Sequence, residues 1–343
     1  MNLFPTAKPN LAGVKNYQPG KPLEELEREY GVKNAIKMAS NENALGPSPK
    51  ALIAIRKNLE KIHRYPDGGC YYLREKLCKV LKIKPESLVF GNGSDELLVF
   101  IARAFAGEGD EIIIADPTFL IYEIAAQVEN ASVVKVPMKD FSYDLEGMRK
   151  KINSKTKIIF IANPDNPVGT YTSAKRLGVF LKLVPKNVIV VLDEAYYEFA
   201  ASKKDYPDSL ALLGTYKNLV VTRTFSKAYG LSGLRVGFAV ADPSITAALN
   251  KVREPFNVNF LAQVAAVAAL DDKAHLKKTV EMVEEGRKYL SGELKNFGCD
   301  LVPTATNFIL ADLKMDAAKI YDKLLRAGII VRPWPEATWG AAR

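Results

Sequence analysis

One lysine, Lys227, has largely apolar sequence neighbours in the segment V-T-R-T-F-S-K-A-Y-G-L-S-G-L-R-V-G-F, residues 221–238. Strands predicted at residues 219–223 and 237–241 flank the glycine-rich loop that carries it. Desolvation lowers the pKa of an ammonium group, and a neutral amine can attack an aldehyde carbon. Lys227 is therefore a candidate for covalent chemistry on a carbonyl group. An ordinary loop lysine in a glycine-rich turn remains the alternative.

Other side chains suited to chemistry also follow predicted strands. Asp193 and Tyr196 lie in D-E-A-Y, and Asn166 lies between two prolines in N-P-D-N-P-V-G-T. A buried carboxylate is costly unless it is paired, so Asp193 predicts a cationic partner such as a protonated ring nitrogen. Phe119 follows D-P-T after another strand, where it can stack on a planar ligand or simply pack in the core.

The elements that must position these residues alternate along the chain. Strands are predicted at residues 88–90, 111–115, 132–136, 157–162, 188–192, 219–223 and 237–241. Helices are predicted between them at residues 94–106, 118–127, 144–151 and 173–183. This alternation of helices with Val/Ile-rich strands predicts an α/β fold with a mainly parallel sheet covered on both faces. Ligands of such sheets lie beyond the carboxyl ends of the strands, where the candidate residues cluster.

The turn G-N-G-S-D-E at residues 91–96 opens one of these helices. Free N–H groups and the helix dipole bind phosphate at such a position, which makes Ser94 and Asp95 candidate anion-binding residues. An ordinary helix cap is the alternative for Ser94. The turn lacks the third glycine of a dinucleotide fingerprint, and no suitable ribose-binding acid follows it, so NAD binding is rejected.

The pattern changes after Asp242-Pro243, and P-F-N at residues 255–257 predicts a hinge. Helices are predicted at 259–270, 273–297 and 317–327, and strands at 306–312 and 328–331. These elements predict a small α/β domain that the N-terminal segment completes. The expected division is an N-terminal arm with part of the small domain (1–40), a large ligand-binding domain (41–254) and a C-terminal small domain (255–343).

Composition restricts the class of protein. The chain has 343 residues, of which 48% are hydrophobic and 25% are charged, as in ordinary globular enzymes. It lacks a run of about 18 apolar residues and an apolar signal region, so neither a membrane span nor secretion is expected. Three cysteines without paired spacing favour the cytoplasm. The net charge of +9 is scattered, which favours anionic small substrates over nucleic acid, and two distant histidines argue against a metal site.

The lysine segment resembles the motif S-K-x-x-G-L-x-G-x-R-x-G of class I/II aminotransferases, and the other motifs follow in that family's order. The resemblance implies fold type I, with a seven-stranded type of sheet between helices, and the cofactor pyridoxal 5′-phosphate (PLP). Lys227 would then bind the PLP aldehyde covalently. The cofactor phosphate would be held by Thr224, Ser226 and Arg235, together with Ser94 and Asp95.

The same resemblance implies roles for the remaining candidates. Asp193 would keep the pyridine nitrogen protonated, Asn166 and Tyr196 would share the 3′-oxygen of the ring, and Phe119 would stack on it. Tyr65, in R-Y-P-D, would reach the cofactor phosphate of the neighbouring subunit in a homodimer with shared active sites. The alternative for Tyr65 is a structural residue that caps its own turn.

Within the family the resemblance is strongest to enzymes that act on L-histidinol phosphate and 2-oxoglutarate. It rests on N-Y-Q-P-G-K, N-E-N-A-L-G-P-S-P, H-R-Y-P-D and L-R-A-G-I-I-V-R-P. Tyr17, Asn43 and Arg332 would contact the substrate. Decarboxylation of L-threonine O-3-phosphate, aromatic aminotransfer and an inactive binding or assembly protein stay open as alternatives.

One departure concerns the C-terminal segment. After I-I-V-R-P the family continues with R-[IV]-[ST]-[IV]-G, whose arginine binds the α-carboxylate of the amino acid, and with a final helix. This sequence reads W-P-E-A-T-W-G-A-A-R instead. The expectation is an altered or truncated end, with Arg343 as a spatial substitute whose context does not match.

Overall fold

The structure is a computed structural model that describes residues 6–334. Its strands are β1 (Ile36–Lys37), β2 (Leu88–Gly91), β3 (Glu111–Asp116), β4 (Ser132–Pro137), β5 (Thr156–Ala162), β6 (Ile189–Asp193), β7 (Leu219–Thr224), β8 (Gly237–Ala241), β9 (Asp300–Leu301), β10 (Ala311–Asp312) and β11 (Ile329–Ile330). Its α-helices are α1 (Leu23–Tyr30), α2 (Pro49–Arg56), α3 (Tyr71–Leu81), α4 (Ser94–Phe105), α5 (Leu120–Val128), α6 (Leu145–Lys151), α7 (Ala174–Leu183), α8 (Tyr197–Ala200), α9 (Ser209–Leu212), α10 (Pro243–Val252), α11 (Phe260–Leu270), α12 (Lys273–Asn296) and α13 (Ala317–Arg326).

A seven-stranded sheet in the order β2-β8-β7-β6-β5-β3-β4 forms the centre of the molecule. The strands from β3 to β7 run parallel to one another, whereas β8 is antiparallel to both of its neighbours. The predicted α/β fold with a mainly parallel sheet is thereby confirmed. Because β5, β6 and β7 are adjacent, the residues that follow them meet at one edge of the sheet.

Helices cover both faces of this sheet. On one face Ile112 packs in a cluster with Leu97 of α4 and with residues of α5 and α10. On the other face Ile113 packs with Leu177 of α7 and with residues of α6. Successive side chains of a strand point to opposite faces, so burial on both sides requires the unbroken apolar runs seen in β3, β5 and β6.

Two small sheets lie outside the central one. β1 pairs in parallel with β11, and β9 pairs antiparallel with β10. Leu26 of α1, Leu325 of α13 and Ile330 of β11 form a separate apolar cluster over the first pair. The N-terminal segment is thus joined to the C-terminal part of the described chain. The domain boundaries at residues 40 and 254 stay predictions.

The strand predicted from residue 306 onward is wrong over most of its length, since only Ala311–Asp312 forms a strand there. The hydroxyls of Thr304 and Thr306 accept hydrogen bonds from the backbone N–H groups of Thr306 and Phe308, at 3.1 and 3.3 Å. Arg287 donates to the carbonyl oxygens of Thr304 and Thr306 at 3.4 and 3.0 Å. Side chains therefore bind backbone groups that a strand would have paired.

Residues 6–334 include no helix that combines the length and the apolar character needed to cross a membrane. Within the same range, no group of three or more His, Cys, Asp or Glu side chains is arranged to hold a metal ion. The cysteines are unpaired: Cys70 is buried, whereas Cys78 and Cys299 are partly exposed.

Candidate active site

The ends of three neighbouring strands position most of the predicted site residues. Ala162 at the end of β5 pairs with Asp193 at the end of β6, and Asp193 pairs with Thr222 of β7. The strand ends and the loops that follow them carry Asn166, Asp193, Tyr196, Thr224, Ser226 and Lys227. The parallel strands therefore bring together residues that are distant in sequence.

Asp193 is almost completely buried, with 4% of its surface exposed. Its carboxylate accepts hydrogen bonds from the hydroxyls of Tyr122 at 2.8 Å and Thr222 at 3.1 Å. Desolvation raises the pKa of Asp193 to about 6, although both hydrogen bonds act to lower it. A cation placed against this carboxylate would remove the penalty, because an opposite charge favours the ionised form.

Lys227 lies in the loop after β7 and is only partly exposed. Its Nζ donates to the backbone oxygen of Ser40 at 3.2 Å and lies 5.6 Å from the centre of the Tyr196 ring. Desolvation lowers the pKa of Lys227; Asp95 raises it and Arg235 lowers it, both to a smaller extent. The neutral amine is therefore more populated here than on an ordinary surface lysine.

Tyr196 is a buried phenol beside this amine. Its hydroxyl oxygen accepts hydrogen bonds from the side-chain amides of Asn41 at 2.9 Å and Asn166 at 3.1 Å. The ring of Phe308 meets it edge-on, with 5.3 Å between the ring centres. Desolvation raises the pKa of Tyr196, whereas the hydrogen bond from Asn41 lowers it.

Arg235 organises a polar cluster next to Lys227. Its Nη1 donates to the hydroxyl of Ser226 at 3.2 Å, and its Nη2 pairs with the carboxylate of Asp95 at 3.3 Å. The Thr224 hydroxyl donates to Ser226 Oγ at 3.0 Å. One guanidinium and two hydroxyl groups are therefore available to a single anion.

The N-terminus of α4 approaches the same guanidinium. Ser94 is the first residue of the helix, and Gly93 before it has a φ of 86°. A Cβ at Gly93 would collide with the Arg235 guanidinium, and a Cβ at Gly237 would lie 2.7 Å from the backbone nitrogen of Ser94. Because only glycine permits this approach, the helix N–H groups and the arginine can converge on one anion.

Phe119 and Tyr17 border the site. Phe119 precedes α5 and meets the Tyr122 ring edge-on, at 5.7 Å between ring centres, so it lies close to the partner of Asp193. The Arg332 guanidinium lies 5.8 Å from the centre of the Tyr17 ring. Tyr17 also contributes to the raised pKa of Tyr196, to a smaller extent than desolvation. Arg343 lies outside the described residues.

Asn43 and Tyr65 have other contacts in the described chain. The Asn43 amide nitrogen donates to the carbonyl oxygen of Ala228 at 3.0 Å and to the Thr279 hydroxyl at 3.1 Å, which holds its loop against the residue after Lys227. Tyr65 is 84% exposed and stacks on Phe256 with 4.9 Å between ring centres. The substrate contact of Asn43 and the cross-subunit contact of Tyr65 stay predictions.

Three residues of this site escaped the sequence reasoning: Asn41, Tyr122 and Thr222. Thr222 lies two residues before Thr224, so the alternation of β7 puts both on one face. Tyr122 is one helical turn after Phe119. Asn41 gave no local signal that separates it from its neighbour Asn43.

A buried ion pair lies directly behind the strand ends. Glu194 follows Asp193 and Arg223 precedes Thr224, and Arg223 Nη2 lies 2.8 Å from Glu194 Oε2 with both side chains almost fully buried. The Arg223 guanidinium also lies 3.4 Å from the centre of the Tyr197 ring. The pair therefore links the end of β6 to β7, and the alternation of β7 puts Arg223 on the face opposite to Thr222 and Thr224.

A second buried carboxylate, Asp165, links two loops of the site. It accepts hydrogen bonds from the Val168 backbone N–H at 3.0 Å, the Tyr143 hydroxyl at 3.0 Å and the Thr118 hydroxyl at 3.3 Å. Desolvation raises the pKa of Asp165 to about 7. The loop that carries Asn166 is thereby fixed to the loop after β3.

Comparison with known proteins agrees with this site. Residues 33–340 match the family model of class I and II aminotransferases, and the chain belongs to this family. It is 49% identical over 329 residues to the histidinol-phosphate aminotransferase of Moorella thermoacetica. The matched region covers 96% of this chain and 85% of that relative.

Solved structures give the same family of folds. The histidinol-phosphate aminotransferase of Sinorhizobium meliloti, in complex with pyridoxal-5′-phosphate, is 29% identical with a TM-score of 0.89, covering 99% of this chain and 96% of that chain. The L-threonine-O-3-phosphate decarboxylase of Porphyromonas gingivalis is 25% identical with a TM-score of 0.76, covering 86% and 88% of the two chains. The predicted fold type I is therefore confirmed.

Proposed function

We propose that this chain is a PLP-dependent aminotransferase of histidine biosynthesis. It would convert L-histidinol phosphate and 2-oxoglutarate to imidazole acetol phosphate and L-glutamate. The observation that carries the proposal is a set of three complementary groups: the buried carboxylate of Asp193, the desolvated amine of Lys227 and the anion-binding cluster of Arg235. The relative that is 49% identical bears the name of this activity.

These residues fit PLP. The ionised form of Asp193 is disfavoured by burial, and a pyridinium nitrogen is the cation that would stabilise it. Arg235, Ser226, Thr224 and the N-terminus of α4 suit the cofactor phosphate. Bound PLP supplies an electron sink for the negative charge that develops at the substrate Cα.

Lys227 carries two roles in this reaction. With PLP bound, its amine would hold the cofactor through the aldehyde carbon. Once free, the same amine would take up and return the proton at the substrate Cα, which one side chain can do when the reacting atoms lie within its reach. The lowered pKa of Lys227 favours this role, because only the neutral amine accepts a proton.

Asn166, Tyr196 and Phe119 would orient the ring. The amide of Asn166 and the hydroxyl of Tyr196 lie 3.1 Å apart, so both can reach one 3′-oxygen. Phe119, held beside Tyr122, would pack on the face of the ring. Their combined effect would be to fix the orientation of the ring beside Lys227.

Tyr17 and Arg332 are the proposed contacts of the anionic substrate groups. The Arg332 guanidinium lies over the Tyr17 ring, and Tyr17 contributes to the raised pKa of Tyr196. Arg332 offers several parallel donors, which suit a phosphate or a carboxylate. Asn43 completes the proposed substrate contacts through the loop that it holds against Ala228.

A homodimer in the cytoplasm completes the proposal. Tyr65, Tyr71 and Tyr72 are exposed on α3 and the turn before it, and Phe256 is also exposed beside Tyr65. Exposed aromatic surface of this kind favours a protein interface. Tyr65 would then reach the partner's cofactor phosphate across that interface.

A single-turnover titration tests the function. PLP-loaded protein is mixed with L-histidinol phosphate, and the visible absorbance of the lysine-linked cofactor is followed to the pyridoxamine form. Complete conversion at low concentration, with glutamate formed after 2-oxoglutarate is added, supports the proposal. L-phenylalanine tests for a broad aromatic activity, and Lys227→Ala is the negative control.

The 25% identity to a threonine phosphate decarboxylase makes that reaction the second candidate. The same protein is therefore mixed with L-threonine O-3-phosphate, and released carbon dioxide is measured. Carbon dioxide release without conversion by histidinol phosphate would replace the proposed activity with decarboxylation.

A further inference from the structure

The hydroxyl oxygen of Tyr196 already accepts two hydrogen bonds. They come from Asn166 Nδ2 at 3.1 Å and from Asn41 Nδ2 at 2.9 Å. With both amides donating to the oxygen, the phenol takes part in further contacts through its own O–H. Asn41 provides the shorter of the two contacts, although the roles proposed above for the cofactor-binding residues do not include it.

The backbone of Asn41 is held so that its side chain points to Tyr196. Asn41 has a φ of 55°, in the left-handed region, and its carbonyl oxygen accepts a hydrogen bond from Asn307 Nδ2 at 2.9 Å. The carbonyl oxygen of the preceding Ser40 accepts from Lys227 Nζ at 3.2 Å. Ser40 and Asn41 therefore contact Lys227 and Tyr196, respectively.

Asn307 shows that this arrangement has a cost. Among the fully buried side-chain nitrogen and oxygen atoms of residues 6–334, its Oδ1 is the one without a hydrogen-bond partner. A buried acceptor without a partner is destabilising, so an asparagine is not the residue that stability alone would place here. Its amide nitrogen has one evident use, which is to hold Asn41.

We propose that Asn41, held in place by Asn307, is a positioning residue for Tyr196. It keeps the phenol oriented as a hydrogen-bond donor to the 3′-oxygen of PLP and strengthens that donation. The inference rests on the proposed function, because it requires the cofactor. A hydrogen bond accepted by a hydroxyl oxygen polarises its O–H group, which then donates more strongly.

The charged and titratable groups near Tyr196 leave this role to an uncharged residue. Lys227 lies over its ring, and Asp193, Asp165 and Tyr17 each act to raise its pKa. The hydrogen bond from Asn41 is the contact that most opposes them. Loss of the Asn41 amide should therefore change the acidity of the phenol without changing the net charge of the site.

The test is a pH titration of the visible absorbance of the lysine-linked cofactor. A strong hydrogen-bond donor at the 3′-oxygen stabilises the negative charge that this oxygen carries when the lysine-linked cofactor is deprotonated. A weaker donor therefore raises the apparent pKa of this absorbance change. Asn41→Gly removes the amide while glycine keeps a φ near 55° without strain. We expect the apparent pKa to rise by roughly half a pH unit, the size that one lost hydrogen bond implies.

Asn307→Ala should raise the apparent pKa in the same direction by less, because Asn41 then loses its restraint and keeps its amide. Asn130→Gly is the matched control, since Asn130 is exposed and has a φ of 60°. It should leave the titration unchanged. Spectral change in Asn130→Gly as large as in Asn41→Gly would overturn the inference.

A double variant separates a direct effect from general damage to the fold. In Tyr196→Phe the donor itself is absent, so adding Asn41→Gly should cause no further rise. An equal rise in that background, or an unshifted titration in Asn41→Gly alone, overturns the positioning role and leaves the proposed function standing. Wild-type protein that forms no pH-dependent band with PLP overturns both.

Discussion

Replacing Asp193 by asparagine should make the cofactor-free protein more stable. The carboxylate is 4% exposed, and desolvation raises its pKa from an ordinary 3.8 to about 6. At about 1.4 kcal/mol for each pH unit, this difference corresponds to about 3 kcal/mol of unfavourable ionisation at neutral pH. Asparagine removes the charge and keeps the shape, and the hydroxyls of Tyr122 and Thr222 can donate to or accept from its amide.

The pH dependence follows from the direction of the shift. The folded protein holds the Asp193 proton more tightly than the unfolded chain does, so the penalty is absent below pH 3.8 and grows until the pH exceeds about 6. We expect the free energy of unfolding of cofactor-free Asp193→Asn to exceed that of the wild type by up to about 3 kcal/mol at pH 7. Near pH 4 the two proteins should differ little.

Cofactor binding should respond in the opposite direction. The carboxylate of Asp193 would pair with the pyridinium nitrogen, and loss of one partner of a buried charge pair costs about 2 kcal/mol or more. The affinity of Asp193→Asn for PLP should therefore fall at least about thirtyfold. The residue thus trades stability of the empty protein for affinity.

Urea unfolding of the cofactor-free proteins at pH 4 and pH 7, with a PLP-binding titration, measures both effects. Asp140→Asn is the control for removal of an exposed carboxylate. The assigned desolvation cost is incorrect if cofactor-free Asp193→Asn is less stable than the wild type at pH 7. It is also incorrect if the variant exceeds the wild type in free energy of unfolding by the same amount at pH 4 and pH 7.

Three further substitutions test other parts of the site. Glu194→Gln should lower the free energy of unfolding by about 3 kcal/mol, because it leaves Arg223 buried without its carboxylate, and changing both residues together should cost less; urea unfolding measures each variant. Gly93→Ala should weaken PLP binding at least about tenfold, because the new Cβ displaces the guanidinium of Arg235. Gly109→Ala is the control, since Gly109 also has a positive φ, 85°, but has open space around it. A dialysis assay measures PLP binding, and an equal loss of affinity in both variants would attribute the effect to backbone strain. Tyr65→Phe should speed PLP loss from the dimer without dissociating it, and unchanged PLP retention in gel-filtered dimers would count against the cross-subunit contact.

The order of strands and helices in the central sheet could be predicted because each segment is long and its pattern is simple. β8 was predicted at residues 237–241, as observed, and β7 to within one residue. Apolar runs buried on two faces mark the strands. Capping residues mark the starts of helices, such as Asp144 before α6 and Ser173 before α7.

The prediction failed where side chains rather than backbone pairing decide the structure. The segment from Thr304 to Phe308 has the residue types of a strand, but its own hydroxyls and the distant Arg287 bind its backbone. Asn41 and Asn43 are equivalent by sequence, and only the fold shows that the former faces Tyr196 while the latter binds Ala228. Long-range contacts of this kind leave no periodic signal.

The pairing of β1 with β11 has a consequence for synthesis on the ribosome. The central sheet and Arg235 all precede residue 242, so the cofactor-binding surface can begin to form while the rest of the chain is still being made. Ile36 can pair with Ile329 only much later in synthesis, and the contact between Tyr17 and Arg332 likewise requires the later part of the chain. A nascent chain can therefore form the proposed PLP-binding residues before it forms the proposed substrate contacts Tyr17 and Arg332.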